Sequence, residues 1–581
     1  MRKILYFLLA ISVLSGCKTL KDNVVHSNGP KEKVSVLSAA QKRKFDYFFY
    51  EGQRLKMLGN IDKAKMYFIE CLKVDSLSST SYYELANIEI NNQNYKGAQD
   101  LLSNSVRLSP DNKWYKILLG DLYQQNENIP KSIEVYESLV TQFPNSDEFT
   151  YILAQLYYKN KDYDKAIETY NILEKSIGIN EVISLEKEKI YLEIGKKGLA
   201  YKEVEKLIEE NPYEPRYYGF MGDVYMYNKE LDKAEESYRK ILELDPDNGL
   251  GYFSLANISL QRKDTLSFFN NFSKALNDND LNLEVKFQRM LPFLMGNDFK
   301  NYAEDDKITS LFEQLTSVHN DDSRSHIYYA NYLQNNDNKE KALEEYKKAL
   351  VIDKSNPSVW QDMFFLEIDL AKFELLYVDA KEALLIFPDI PLFNLFHAMG
   401  AMQKEEYRVA LKSLEHGIQF TGDNINLNGQ FHSYLGDVLY NLKRPEEAFK
   451  SYQNALKVDE NNVVVLNNYS YYLSVENQDL DKAERMISKC IELEPGNSTY
   501  LDTYAWVLFK RGRFFEAKYI IERAIDNGGD TSDVIVEHYG DILYKNEDID
   551  GAVIQWKKSL EMGNKSEILT KKIELEKYVE E

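Results

Sequence analysis

Residues 215–248 read PRYYGFMGDVYMYNKELDKAEESYRKILELDPDN. Tyr218, Met221, Gly222 and Tyr225 recur at helical spacing, and so do Ala234, Tyr238 and Ile241. Pro246 closes the stretch. The pattern predicts two short amphipathic helices joined by a tight turn. Gly222 and Ala234 are small, as expected where two helices cross and a larger side chain would hold the backbones apart. Aromatic residues fill the space beside the crossing. Asp232 and Glu235 are spaced as a helix N-cap and its box partner.

Working outward, the same pattern returns every 34 residues. Seven units run without a gap from Phe45, Ser79, Lys113, Asp147, Glu181, Pro215 and Gly249. With the small residue of the first helix at position 8, that position holds Gly52, Ala86, Gly120, Ala154, Glu188, Gly222 and Ala256. Position 20 holds Ala64, Ala98, Ser132, Ala166, Ala200, Ala234 and Phe268. Glu188 and Phe268 break the pattern, so their units read as degenerate. The unit resembles the tetratricopeptide repeat, with its aromatic-x2-Leu-Gly-x2-Tyr, Ala-x3-Phe and Pro signature. The resemblance implies an all-α fold, an α-solenoid: a right-handed superhelix of about 14–15 helix pairs.

Residues 283–322 do not fit the period, and Pro292 interrupts a helical-looking run there. They are expected to form a divergent helical connector, either a hinge or a drifted repeat. It separates an N-terminal array (45–282) from a C-terminal array (323–566). The period resumes at Ser323, with further units near Pro357, Pro391, Gly429, Val463, Ser498 and Asp533. The unit at Val463 carries one extra residue. The end, 567–581, is charged with a narrow apolar stripe and is expected to be a capping helix.

The N-terminus has another character. Residues 1–17, MRKILYFLLAISVLSGC, run from a basic pair through an apolar stretch too short to span a bilayer comfortably. The stretch ends Leu14-Ser15-Gly16-Cys17, which resembles a bacterial lipoprotein signal. The resemblance implies cleavage after residue 16 and lipidation of Cys17. Lys18 follows, with no Asp to suggest retention in the inner membrane. The expected location is the bacterial envelope, as an outer-membrane lipoprotein facing either the periplasm or the surface. Residues 17–44 read as the lipidated Cys and a flexible tether reaching on the order of 30 Å.

Composition restricts the chemistry. The chain has 71 basic and 93 acidic residues, a formal net charge of −22. That balance argues against nucleic acid, which needs a basic footprint. The seven histidines are scattered, and no His-Glu-x-x-His or Cys-x-x-Cys occurs, so no metal and no cofactor are expected. Cys71 and Cys490 fall at position 27 of their units and read as small core residues. No nucleophile elbow, phosphate-cradling loop or dinucleotide fingerprint appears, so the chain is not expected to be an enzyme.

The resemblance to tetratricopeptide arrays implies that positions 2, 5, 9, 12 and 13 line a concave groove. Position 9 is repeatedly polar: Asn87, Asp121, Gln155, Asp223, Asn257, Asn331, Asp437 and Asp541. Position 5 is often apolar: Phe49, Tyr83, Ile117, Tyr151 and Phe253. Amides beside apolar pockets would suit a partner peptide, whose backbone they can pair with. A structural duty for position 9 is equally open. No recognised unit has Lys at position 5, which departs from the family's carboxylate clamp for acidic tails. Trp506, Phe509 and Lys510 share one first helix, and Lys510-Arg511-Gly512-Arg513 forms a basic turn, either a contact point or an ordinary solvated turn. The leading expectation is a membrane-anchored scaffold or adaptor that binds proteins or peptides in its groove and assembles an envelope complex for assembly, secretion or motility. The alternative is a glycan- or nutrient-capturing outer-membrane lipoprotein.

Overall fold

A computed structural model describes residues 37–295 and 305–580. Among these residues the chain is a tandem of 31 α-helices with no strand: fifteen consecutive pairs and a final short helix, the all-α solenoid expected. The signal segment, Cys17 and most of the tether lie outside the described residues. No described helix is long and apolar enough to cross a membrane. Contacts divide the chain into two compact units, one through Ile258 and one from Ser259 onward.

The unit that opens the argument is built as its spacing predicts. Its helices are Pro215–Tyr227 and Leu231–Leu244. Pro215 starts the first helix, where a missing N–H costs nothing. Between the helices the Lys229 N–H donates to the Met226 carbonyl at 3.0 Å and the Glu230 N–H to the Tyr225 carbonyl at 2.9 Å. This paired closure needs one residue in the left-handed region, and Lys229 supplies it at φ 62°. The same position recurs as Gln93, Glu127, Lys161, Lys263, Asp337, Ala371, Glu405, Lys443, Asn477 and Glu547, with Gly59, Gly195 and Gly512 at other turns. Most turns therefore hold a non-glycine residue in a conformation that costs on the order of 1 kcal/mol, which the bonds around it offset. The expected capping box at Asp232 is not formed. Glu230 is the N-cap, without a side-chain cap bond, and Asp232 lies in the first turn. At the other end Asn248 Oδ1 accepts from the Gly251 N–H at 2.9 Å and caps the next helix.

The crossing obeys a simple steric rule. A Cβ on Gly222 would lie 2.3 Å from the Tyr238 ring, one on Gly436 2.3 Å from Tyr452, and one on Gly540 2.5 Å from Trp556. The small residue at position 8 thus makes room for the aromatic at position 24, not only for the neighbouring backbone. Position 20 touches the same place: Ser132 Oγ donates to the Gly120 carbonyl at 2.9 Å. Position 27 carries a third recurring contact. Its thiol or hydroxyl donates to the carbonyl at the start of the same unit, as Cys71 does to Phe45, Ser105 to Ser79, Cys490 to Val463 and Ser559 to Asp533. Both cysteines are fully buried free thiols. Burial pushes Cys71 up to about 11 and Cys490 up to about 12, which leaves them inert.

The stretch that broke the period holds two helices, Leu283–Met295, with Pro292 inside it, and Asp305–Val318. Phe287 stacks on Tyr328 of the following pair at 3.4 Å, and Phe312 on Tyr332 at 4.6 Å. The final helix, Glu567–Leu575, is capped by Ser566, which accepts from the Ile568 and Leu569 N–H groups. Glu576 then takes the left-handed region at φ 48° and turns the chain out of the helix.

Candidate functional site: the face of the first helices

The polar residues at position 9 have bonding duties inside the fold. Tyr136 Oη donates to Asp121 Oδ1 at 2.7 Å, Tyr238 to Asp223 at 2.6 Å, Tyr346 to Asn331 at 2.5 Å and Tyr452 to Asp437 at 2.5 Å. In the last unit Trp556 Nε1 donates to Asp541 Oδ1 at 2.9 Å. The aromatic that fills the space over position 8 thereby places its polar atom on position 9, the usual requirement of a buried Tyr or Trp. The sequence signal was an acid or amide followed fifteen residues later by Tyr or Trp. Asn87 bonds the Tyr83 carbonyl, and Gln155 donates to Tyr151 Oη at 3.0 Å. Gln155 so leaves Tyr170 Oη, the equivalent aromatic, buried without a partner.

Asp121, Asp223, Asn257 and Asn331 keep exposed edges, whereas Gln155 and Asp437 are half-buried and Asp541 is buried. Burial holds Asp121 and Asp437 above the ordinary Asp range. The apolar residues at position 5 are largely taken up in packing. Phe49 lies 5.8 Å from Phe68, Tyr83 4.7 Å from Tyr115 and Tyr151 6.0 Å from Tyr170, and Phe253 is buried. The basic turn 510–513 is knitted to the preceding pair, with Arg511 on Asp481 at 2.5 Å and Arg513 on Glu484 at 2.7 Å.

Three of the sequence-selected residues, Trp506, Lys510 and Asp541, line one cavity of about 520 Å³. Its wall comes from three successive first helices: Tyr471 and Val475, then Trp506 and Lys510, then Val534, Glu537, His538 and Asp541. These are mostly the positions that the repeat turns towards one face. The last helix and the chain after it close the far side with Lys572 and Tyr578. The floor is a buried polar network. Lys572, 2% exposed, bonds Glu537 Oε1 at 2.8 Å and Asp541 Oδ2 at 2.6 Å. Asn564 donates to the second Glu537 oxygen at 2.7 Å. His538 Nδ1 lies 2.9 Å from Asp502 Oδ1, and its ring stacks on Trp506 at 4.1 Å.

Burial pushes Asp541 up to about 6 although Lys572 pulls it down. Burial also disfavours a charged His538, yet the carboxylates of Asp502, Asp541 and Glu537 together outweigh it and raise the imidazole above its ordinary value. The Trp506 Nε1–H is buried and has no acceptor among the described residues. Sequence reading missed Asp502, Glu537, His538 and Lys572. A signal was present: position 5 is acidic in the last two units, as Asp502 and Glu537, just before a helix with a lysine inside its apolar stripe.

Tetratricopeptide repeat models match residues 117–177, 215–248 and 429–462. A TPR repeat-containing protein of Methanocaldococcus jannaschii is 21% identical over 301 residues, covering 47% of this chain and 50% of that protein. The chain thus spans about half the length of the curated relative it matches. Among solved structures, a Naa15/Naa10 complex bound to HypK-THB aligns with a TM-score of 0.41 and 14% identity over 92% of this chain and 95% of that chain. A tetratricopeptide repeat protein from Parabacteroides merdae aligns with a TM-score of 0.27 and 16% identity over 42% of this chain and 97% of that chain. Tetratricopeptide repeats are therefore present in at least three segments of this all-α array, and such repeats are typically non-catalytic scaffolds that bind protein partners.

Proposed function

We propose that the chain is a lipid-anchored scaffold of a bacterial envelope, which holds partner proteins or peptides on the face of its first helices. The observation that carries the binding half is the shared wall of the C-terminal cavity, where three consecutive first helices contribute at equivalent positions. A repeat surface of this kind presents polar and apolar groups at a fixed spacing, which suits an extended or helical segment. The membrane half rests on the sequence Leu14-Ser15-Gly16-Cys17. A multiply acylated Cys17 would anchor the chain stably at a membrane surface without spanning it. Outer-membrane placement and a role in assembling an envelope complex are part of the same proposal.

Crosslinking and capture from intact envelopes test it, comparing the lipidated chain with Cys17→Ala. The expected result is a reproducible set of partner proteins, lost or much reduced when the anchor is removed. Enrichment of no protein by either form would overturn the scaffold reading. A glycan array run on the same material would return no ligand.

A further inference from the structure

One wall of the C-terminal cavity is a short segment of this chain, residues 578–580. After Glu576 turns the backbone, the Lys577 N–H donates to the Lys572 carbonyl at 3.1 Å, and Tyr578, Val579 and Glu580 line the cavity. The Tyr578 ring lies edge-on to Phe509 at 5.6 Å. Two ammonium groups face it, Lys545 at 4.7 Å and Lys572 at 5.5 Å from its centroid. Two residues on, the Glu580 carboxylate stands 3.9 Å from Lys510 Nζ. Lys510 is largely buried with a side-chain exposure of 18%, whereas Glu580 keeps 76%.

We infer that this tail, residues 577–580, is a displaceable wall of the cavity, and that the residues holding it can take from a partner a segment of the same chemistry, an aromatic residue followed two positions later by a carboxylate. The inference rests on the scaffold reading and narrows it to one class of partner. Charge supports it. The cavity's own acids, Glu537 and Asp541, are already bonded by Lys572, Asn564 and Trp556. Lys510 and Lys545 are left at the two places where the tail puts its carboxylate and its ring.

The tail is also held lightly. The ion pair is long, at 3.9 Å, and its Glu580 carboxylate stands mostly in water, which weakens it. Its advantage over a free peptide is its tether, which gives it an effective concentration on the order of millimolar.

The test uses the full chain and a fluorescent peptide with the sequence of residues 574–580, ELEKYVE. Tyr578→Ser with Glu580→Lys empties the site in place. The emptied chain is expected to bind the peptide roughly tenfold or more tighter than the unaltered chain does, because the tethered competitor is gone. Adding Lys510→Gln is expected to weaken that binding several-fold, and a peptide with Ser for its Tyr is expected not to bind. Equal binding by the emptied and unaltered chains, or no effect of Lys510→Gln, would overturn the inference. A second measurement does not need the emptied variant. Trypsin should cut after the exposed Lys577 several-fold faster in a Lys510→Glu chain than in the unaltered chain, and equal rates would count against a seated tail. If these tests fail while envelope capture still yields partners, only the tail inference falls.

Discussion

Two neighbouring units make the same helix pair by different means. In 215–248, Gly222 lies under the Tyr238 ring, and Tyr238 bonds Asp223. In 181–214, the corresponding residues are Glu188, Lys189 and Val204. Val204 is fully buried and Ala200 still marks the crossing, so the second helix sits in place without an aromatic. The lesson is that position 8 is small because of what stands at position 24. Remove the ring and the constraint goes with it. The exception has its own cost. Glu188 is half-buried, and burial together with the nearby Asp223 carboxylate pushes it up to about 7.

The comparison is most strongly broken at the ring. Tyr238→Val should cost about 3 kcal/mol, as expected for truncating a buried aromatic. Hydrogen exchange across Pro215–Tyr227 and Leu231–Leu244 would show the loss locally. Gly222→Ala should cost about 2 kcal/mol by overpacking. In a Tyr238→Val background that penalty should nearly vanish, and a double-mutant cycle that finds the two additive would refute the steric rule.

Glu188→Gln should have the opposite sign and depend on pH. A carboxyl raised from 4.5 to about 7 contributes stability that is complete below its unfolded value and is lost as pH rises through the folded one. The variant should therefore be about 1 kcal/mol more stable than the parent at pH 8, allowing for solvent on the exposed side, and indistinguishable near pH 4. Denaturation at the two pH values decides it.

Asp223→Asn should be the mildest change. An amide oxygen can still accept from Tyr238, so the loss should stay below about 1 kcal/mol. It should also lower the Glu188 titration point, measured by NMR, because one like charge is removed. An unchanged Glu188 would mean that burial alone raises it.

Much of this was legible in the chain. The period of 34, the small residues at positions 8 and 20, the two cysteines among packed positions and the degenerate status of 181–214 could be read off because each follows from nearest-neighbour packing within a repeat. The candidate face was only partly legible. Position 9 was correctly singled out as polar, but its tie to the aromatic fifteen residues later was not read. Asp541 and Trp506 were selected separately, and nothing local joined them. The turn residue at position 15 was overlooked because Lys, Glu or Gln there carries no glycine signal. Asp232 was misjudged as a cap because the turn ends two residues before it.

By itself, the sequence determined that this is an array of helical pairs, since repeated local contacts are enough to specify each pair. Only the tertiary structure decided which polar groups are consumed inside the array and which remain at its surface. It also decided that Lys572 bonds two acids 31 and 35 residues earlier, and that residues 578–580 form a wall of the cavity they floor. Those outcomes depend on which side chains from different units arrive at one place, and on the charge each must balance when water is excluded.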